Sequence, residues 1–256
     1  MPTALAVSIG NTRTQVGRVL DGRIEEWASV PSDTPESALE RLTDWSRDVA
    51  KEDRVVLLAS VRTDTATAMR SLVVDQLGAE IIELEKDLPV PIGRALDPES
   101  IVGVDRLLTA AAAWDELKQA CIVVDAGTAV TVDFIDGEGV FQGGAIMPGV
   151  RMMLDALNRS ADLLPTIEYD KPTGEPYGRN TTDAMIRGVH NAVHGGVWKL
   201  VETYALSYGG FPLVIASGGD AEAIFDGDEL VSRLIPDLAL RGCAVAYRTA
   251  TEDAGP

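Results

Sequence analysis

The chain has 256 residues, 46% of them hydrophobic, which is enough for two modest domains or one large one, so disorder is not the default expectation. Its 22 basic against 40 acidic side chains give a net charge of −18, which repels nucleic acid and anionic membrane. An anionic ligand must then be held locally, by backbone N–H groups, by one or two Arg side chains or by a metal.

Leu5 to Ile9, Thr14 to Val19 and Arg23 to Ala28 read as three strands, joined by "GNTR" and by the Asp21-Gly22 hairpin signal, and so as an antiparallel meander. An amphipathic helix from about Pro35 to Val49 follows, then a buried strand "RVVLLAS", a helix from Asp64 to Leu77 and a short strand "EIIEL". Alternation of strand and helix predicts a layered α/β core. Pro89, Pro91, Gly93 and Pro98 make Lys86 to Val102 an irregular connection, and a helix from Asp105 to about Leu117 leads into the second half. There the programme repeats: strands at 121–125, 129–135 and 139–145, a helix after Pro148-Gly149, a Pro-bearing loop from Asp162 to Arg179, and a long helix from Thr181 to about Ser207. A buried strand "PLVIAS", the segment "GGDAEAI" and a closing helix from about Pro236 to Thr249 complete it. The expected domains are residues 1–114, with a phosphate turn at 8–12 and a substrate motif at 103–106, and residues 115–256, with a phosphate turn at 125–128 and a dimer helix.

Cys121 and Cys243 stand far apart in apolar runs and read as buried free thiols. Met1-Pro2 leads directly into a strand-like run without a cationic leader, and no apolar run reaches the roughly 18 residues of a membrane span, so no membrane partner is expected and the cytoplasm is the expected compartment.

"ALAVSIGNTRTQVGRV" and "ACIVVDAGTAVTVDFI" are the same device twice: an apolar strand, a small polar turn with Gly and Thr, and a second alternating strand. A strand ending in Asp-x-Gly places a carboxylate at the mouth of a tight turn, lets backbone approach a phosphate closely, and aims N–H groups and a hydroxyl at its oxygens. One such turn is an ordinary hairpin. Two in equivalent positions fit the actin, sugar-kinase and Hsp70 plan, duplicated ribonuclease-H-like α/β halves around an interdomain cleft, with "IASGGDAEAI" supplying Gly218 and Gly219 to the adenosine end of ATP.

"GVDRLLTAAAAW", "VVDAGTAVTVDFID", "GGAIMPGVRMM" with "LLP" after it, "GRNTTDAMIRGV" and "ASGGDAEAI", in this order over nearly the whole chain, resemble the type III pantothenate kinase family. The resemblance implies a homodimeric kinase that uses ATP, Mg²⁺ and a monovalent cation, K⁺ or NH₄⁺, to phosphorylate pantothenate in the first step of coenzyme A biosynthesis. Asp105 matches the general base, with helix capping as its plainer role. Gly103, Val104 and Arg106 match the substrate motif, Arg106 as the fork for the substrate carboxylate. Asp125 matches the monovalent-cation ligand, and Thr128 an ATP contact. Thr181 matches the Thr that reaches the pantothenate pocket, with an N-cap of the long helix as its alternative. Ser8, Gly10, Asn11 and Thr12 match the first ATP turn.

Two positions depart from the family pattern. Its first turn begins with Asp, which helps to hold Mg²⁺, whereas this chain has Ser8, a neutral and weaker ligand. Where the family has a pocket Tyr, this chain has Ala95 and Leu96. They open a second reading, a catalytically weak or inactive kinase-like paralogue that binds nucleotide or regulates. His190 and His194 share a helix face without a third ligand nearby, and the apolar stripe Met185, Val189, Ala192, Val193, Val197, Leu200 and Tyr204 reads as core or dimer seam.

Overall fold

The computed structural model describes residues 3–253; Met1-Pro2, read as the lead into the first strand, lie outside the described residues. Contacts divide the chain into two compact units, one running to Glu116 and resuming at Asp237, the other Leu117–Pro236.

In the first unit β1 (Ala4–Ile9), β2 (Arg13–Leu20) and β3 (Arg23–Pro31) form the expected meander. Its second turn has φ 49° at Asp21 and 72° at Gly22, the pair of positive values that a two-residue hairpin requires. β4 (Val55–Ser60) and β5 (Glu80–Glu83) then add in parallel on the other side of β1, giving the order β3-β2-β1-β4-β5. Leu5, Val7 and Ile9 point into a core with Leu42 and Met69, from α1 (Pro35–Trp45) and α2 (Thr63–Leu72).

The strand positions between them, Ala4 and Ala6, are small, and so is Gly17, which pairs with Ala6. The closing helix α7 (Leu238–Asp253) packs on these strands: a Cβ at Gly17 would lie 3.2 Å from Leu240. At Gly242 a Cβ would fall 2.2 Å from the Leu108 carbonyl oxygen, so α7 and α3 (Val104–Leu117) meet backbone to side face, where only glycine fits. These contacts place α7 in the first unit, although sequence order puts it at the end of the second half.

Two helix ends differ from the periodicity. α1 stops at Trp45, four residues early, because the Ser46 hydroxyl turns back to the Thr43 carbonyl at 3.1 Å. α2 passes at Val73 into a π-helical turn that ends on left-handed Gly78. Between β5 and α3 the chain is irregular apart from a two-residue strand, β6 (Gly93–Arg94).

The second unit repeats the plan. β7 (Cys121–Ala126), β8 (Ala129–Ile135) and β9 (Val140–Pro148) form a meander; β10 (Leu213–Ser217) and β11 (Arg233–Leu234) add in parallel beyond β7, so the order is β11-β10-β7-β8-β9. Strand for strand this is the topology of the first unit. α4 (Val150–Ser160) and α5 (Thr181–Tyr208) cover the sheet, and α6 (Ala221–Phe225) follows β10. Met185, Val189, Val193, Val197 and Val201 of α5, spaced by four, are all buried in this core. The expected stripe is therefore core, except that Ala192 is exposed. Cys121 and Cys243 are buried free thiols, each pushed up to about 12 by burial.

Candidate functional site

The two expected turns have the same construction. Gly10 N–H donates to the Arg13 carbonyl at 3.0 Å, and Gly127 N–H to the Ala129 carbonyl at 3.0 Å, closing each strand-turn-strand tightly. In the first turn Asn11 and Thr12 are exposed, and Ser8 is buried in β1 just before it. Ser32, buried at the end of β3, braces the turn: its hydroxyl donates to the Gly10 carbonyl at 3.0 Å and its N–H to the Thr12 carbonyl at 3.0 Å.

Val61 ties this turn to the substrate motif within the same unit. Its N–H donates to the Ile9 carbonyl at 3.1 Å, and its side chain would lie 3.7 Å from a Cβ at Gly103. That same Cβ would be 2.5 Å from Asp105 Oδ1, so glycine at 103 makes the room that the carboxylate occupies. Asp105 sits inside the first turn of α3, which begins at Val104, and accepts from the Arg106 N–H at 2.9 Å. It is therefore not the cap residue. Burial pushes its carboxyl above the ordinary carboxylate value, against the opposing pull of the Arg106 N–H and charge. A more basic carboxylate beside a phosphate-type turn is suited to accept a hydroxyl proton.

In the second unit Asp125 is the penultimate residue of β7, opposite Ser217 of β10. Gly218, at φ +94°, packs on it: a Cβ there would fall 2.4 Å from Asp125 Oδ1 and 2.3 Å from the Ala126 carbonyl oxygen. Next to Gly219 there is open space. Gly149 N–H donates to the Thr128 carbonyl at 3.0 Å, and a Cβ at Gly149 would fall 2.0 Å from the Gly127 carbonyl oxygen, so the start of α4 presses on the turn. Asp125, Thr128, Gly218 and Gly219 are thus brought together. The oxygen donors around Asp125 suit a hard cation.

Thr181 lines a hollow of about 520 Å³ with Leu157, Leu164, Arg179, Asn180 and Met185. The cap of α5 is Asn180, whose side chain accepts from the Asp183 N–H at 2.8 Å, so Thr181 is not the cap. A second hollow, of about 470 Å³, lies in the first unit between Arg94, Leu96, Ser100, Ile101 and Leu107, at the foot of α3. Its rim is fixed by Glu85, which accepts from both Arg94 terminal nitrogens at 2.6 and 2.7 Å and from the Val90 N–H at 2.7 Å. Leu96, one of the two residues read near the family's Tyr position, lines this hollow.

Sequence reasoning missed Ser32, Val61 and Arg94. It also missed Arg62, whose Nη1 donates to the Asn11 carbonyl at 2.9 Å, and the buried Asp220, which accepts from Arg151 at 3.1 and 3.2 Å. All but Arg94, whose partner Glu85 is nine residues away, act through a partner distant in sequence, for which local pattern gives no signal. His190 accepts from or donates to the Tyr169 hydroxyl at 2.8 Å, and His194 bonds the Asp228 carboxylate, which also accepts from Trp198 at 3.3 Å. Among the described residues no three His, Cys, Asp or Glu side chains converge as a metal site, and no helix is long and apolar enough to cross a membrane.

A family model described as type III pantothenate kinase matches residues 4–203. The type III pantothenate kinase of Dehalococcoides mccartyi is 30% identical over 95% of this chain and 96% of its own. That of Moorella thermoacetica is 29% identical over 96% and 99%, and that of Rhodospirillum rubrum 35% identical over 64% and 63%. Among solved structures, component A of the Acidaminococcus fermentans (R)-2-hydroxyglutaryl-CoA dehydratase covers 100% of both chains with a TM-score of 0.55 at 14% identity. The ADP-bound MreB5 of Spiroplasma citri covers 99% of this chain and 98% of its own, with a TM-score of 0.51 at 12% identity. At such identities the likeness is one of fold alone, the duplicated α/β fold of actin, Hsp70 and sugar-kinase type.

Proposed function

Because the chain belongs to the type III pantothenate kinase family, we propose that it transfers the γ-phosphoryl group of ATP to the primary hydroxyl of pantothenate, giving 4′-phosphopantothenate in the first step of coenzyme A biosynthesis. The observation that carries the reading is the Asp105 carboxylate, made more basic by burial and linked through Gly103 and Val61 to the first turn. Phosphoryl transfer asks the protein mainly for positioning and charge. Asp105 orients the hydroxyl and takes its proton as the oxygen attacks phosphorus and ADP leaves. Arg106 holds the carboxylate of pantothenate, with Gly103 and Val104 shaping that contact, and Thr181 is the further substrate contact by its match to the family. Gly10 closes the first turn and lets backbone come close to a phosphate, Asn11 and Thr12 direct N–H and hydroxyl groups to its oxygens, and Ser8 stands behind them. Thr128 serves the phosphates and Gly218 and Gly219 the adenosine end.

Asp125 with the neighbouring carbonyl oxygens fits a monovalent cation, K⁺ or NH₄⁺, which would supply positive charge beside the phosphates when bound. Mg²⁺ at the first turn does not fit the residues present. Ser8 offers no carboxylate there, and the side chains that reach the turn are the neutral Ser32 hydroxyl and the cationic Arg62; Mg²⁺ enters this proposal only as the companion of ATP.

The working form is a cytoplasmic homodimer. In support, the outer side of α5 carries Gly188, Ala192 and Gly195, with nothing within 4 Å of a Cβ at either glycine, and exposed Trp198 and Leu206 beyond them. The test is turnover of purified protein with ATP and pantothenate, read as 4′-phosphopantothenate by mass, with the Asp105→Asn protein as the control for host kinase. No product from the parent chain beyond that control would refute the reading.

A further inference from the structure

The first turn is where the chain departs from its family's pattern, and the fold brings to it a cation that the motif itself does not contain. β4 lies parallel to β1 with Ser60 opposite Ile9, so the chain leaving β4 passes the turn that leaves β1. Val61 N–H donates to the Ile9 carbonyl at 3.1 Å. The Ser60 hydroxyl accepts from the Arg62 N–H and donates to the Arg62 carbonyl, both at 2.9 Å, which fixes the Arg62 backbone. Its side chain then reaches back, Nη1 donating to the Asn11 carbonyl at 2.9 Å.

A guanidinium carries five N–H donors in a rigid plane. One is engaged by Asn11; among the described residues no carboxylate pairs with Arg62 and no second acceptor takes its other donors. In a chain with 40 acidic and 22 basic side chains, such a cation beside an exposed Gly-Asn-Thr turn is available to an anion from solution. The second unit makes the corresponding crossing, where Asp220 N–H donates to the Ala126 carbonyl at 2.9 Å, with the opposite choice of charge: a carboxylate at Asp125 and a glycine packed on it.

We propose that Arg62 is the phosphate-holding cation of the first turn, its remaining N–H groups taking oxygens of the ATP phosphates. The proposal rests on the kinase reading above and deepens it. A carboxylate with a divalent ion presents one net positive charge to a phosphate, and a neutral hydroxyl with a guanidinium presents the same. The guanidinium adds a planar fork that matches two phosphate oxygens. Ser8 and Arg62 together thus replace a protein-held metal by a protein-held cation, and the first turn binds phosphate without a divalent ion.

The experiment is calorimetric titration of ATP into the full chain in EDTA and in Mg²⁺, for the parent, Arg62→Gln, Arg62→Lys and Arg47→Gln. Arg47 pairs with Asp44 on the exposed side of α1, so its variant makes the same change in net charge away from the turn. The parent is expected to bind ATP in EDTA, and Arg62→Gln to bind it about ten- to a hundredfold more weakly, the scale of a lost hydrogen-bonded charge. Arg62→Lys, which keeps the charge and loses the fork, falls between them, and Arg47→Gln stays within about twofold, as expected of an exposed charge. If Arg62→Gln is less stable, the Lys variant keeps the tether to Asn11 and its intermediate affinity decides the question. Equal binding by parent and Arg62→Gln in EDTA, or a parent that binds only with Mg²⁺, overturns the role of Arg62 and leaves the kinase reading standing. A parent that binds no ATP under either condition overturns both.

Discussion

Replacing Gly218 by Ala should unfold the second turn's support, whereas the same change one residue later should not. At Gly218 the backbone has φ +94°, and the new Cβ would fall 2.3 Å from the Ala126 carbonyl oxygen and 2.4 Å from Asp125 Oδ1. The left-handed conformation costs a side chain about 1–2 kcal/mol, and forcing backbone atoms apart in a packed site costs about 1–3 kcal/mol more. The sum, about 2–5 kcal/mol, lowers the melting temperature of a chain of this size by about 5–15 °C. At Gly219 nothing lies within 4 Å, so Ala there should change stability by less than about 1 kcal/mol. Thermal unfolding of the two variants, followed by ATP titration, measures both effects. Gly218→Ala with the melting temperature and ATP affinity of the parent would refute the close packing of Gly218 on Asp125. Gly219→Ala with parent stability but weakened ATP binding would place the nucleotide in that open space.

Asp105→Asn should lower turnover by about 10²-fold or more, the scale of a positioned acid–base group. Its carboxyl is raised by burial, so ionisation works against folding once the pH passes the unfolded value and increasingly up to the folded one. The Asn variant, which can still accept from Arg106, should melt above the parent at neutral pH and show no such advantage in acid. Ser8→Asp puts a charge at a buried position and should destabilise the metal-free protein by about 1–3 kcal/mol. Mg²⁺ with ATP should reverse the sign, since a hundredfold excess over Kd adds about 2.7 kcal/mol to the folded state; a Mg²⁺ response identical to the parent's would show that position 8 reaches no metal. Asp228 is raised by burial but held on balance below its ordinary 3.8 by the Leu230 N–H, His194 and Trp198. Its stabilisation is present above that value and lost as pH falls through the lower folded one. Asp228→Asn should therefore flatten the acid limb of the stability profile, and an unchanged limb would show that the cluster does not contribute to it.

The sequence by itself determined the two meanders, the paired Gly-bearing turns and the family, because strand alternation, hairpin chemistry at Asp21-Gly22 and short motifs are written within a few residues of one another. It also marked Asp105, Asp125, Thr128 and Gly218 by motif. What it left open were roles decided by chain ends and crossings. Whether Thr181 caps α5 depended on a competitor one residue earlier, Asn180, whose amide reaches Asp183 in the geometry that the backbone adopts. The end of α1 was set by one serine hydroxyl. Only the tertiary structure placed α7 in the first unit, because small residues on the second face of β1 and β2 and the backbone of Leu108 accept it there. Only the register of β4 on β1 brought Val61 to Ile9 and Arg62 to Asn11, 51 residues away in sequence. A charge placed by a parallel crossover has no local signature, since its partner is chosen by the sheet and not by the neighbouring residues.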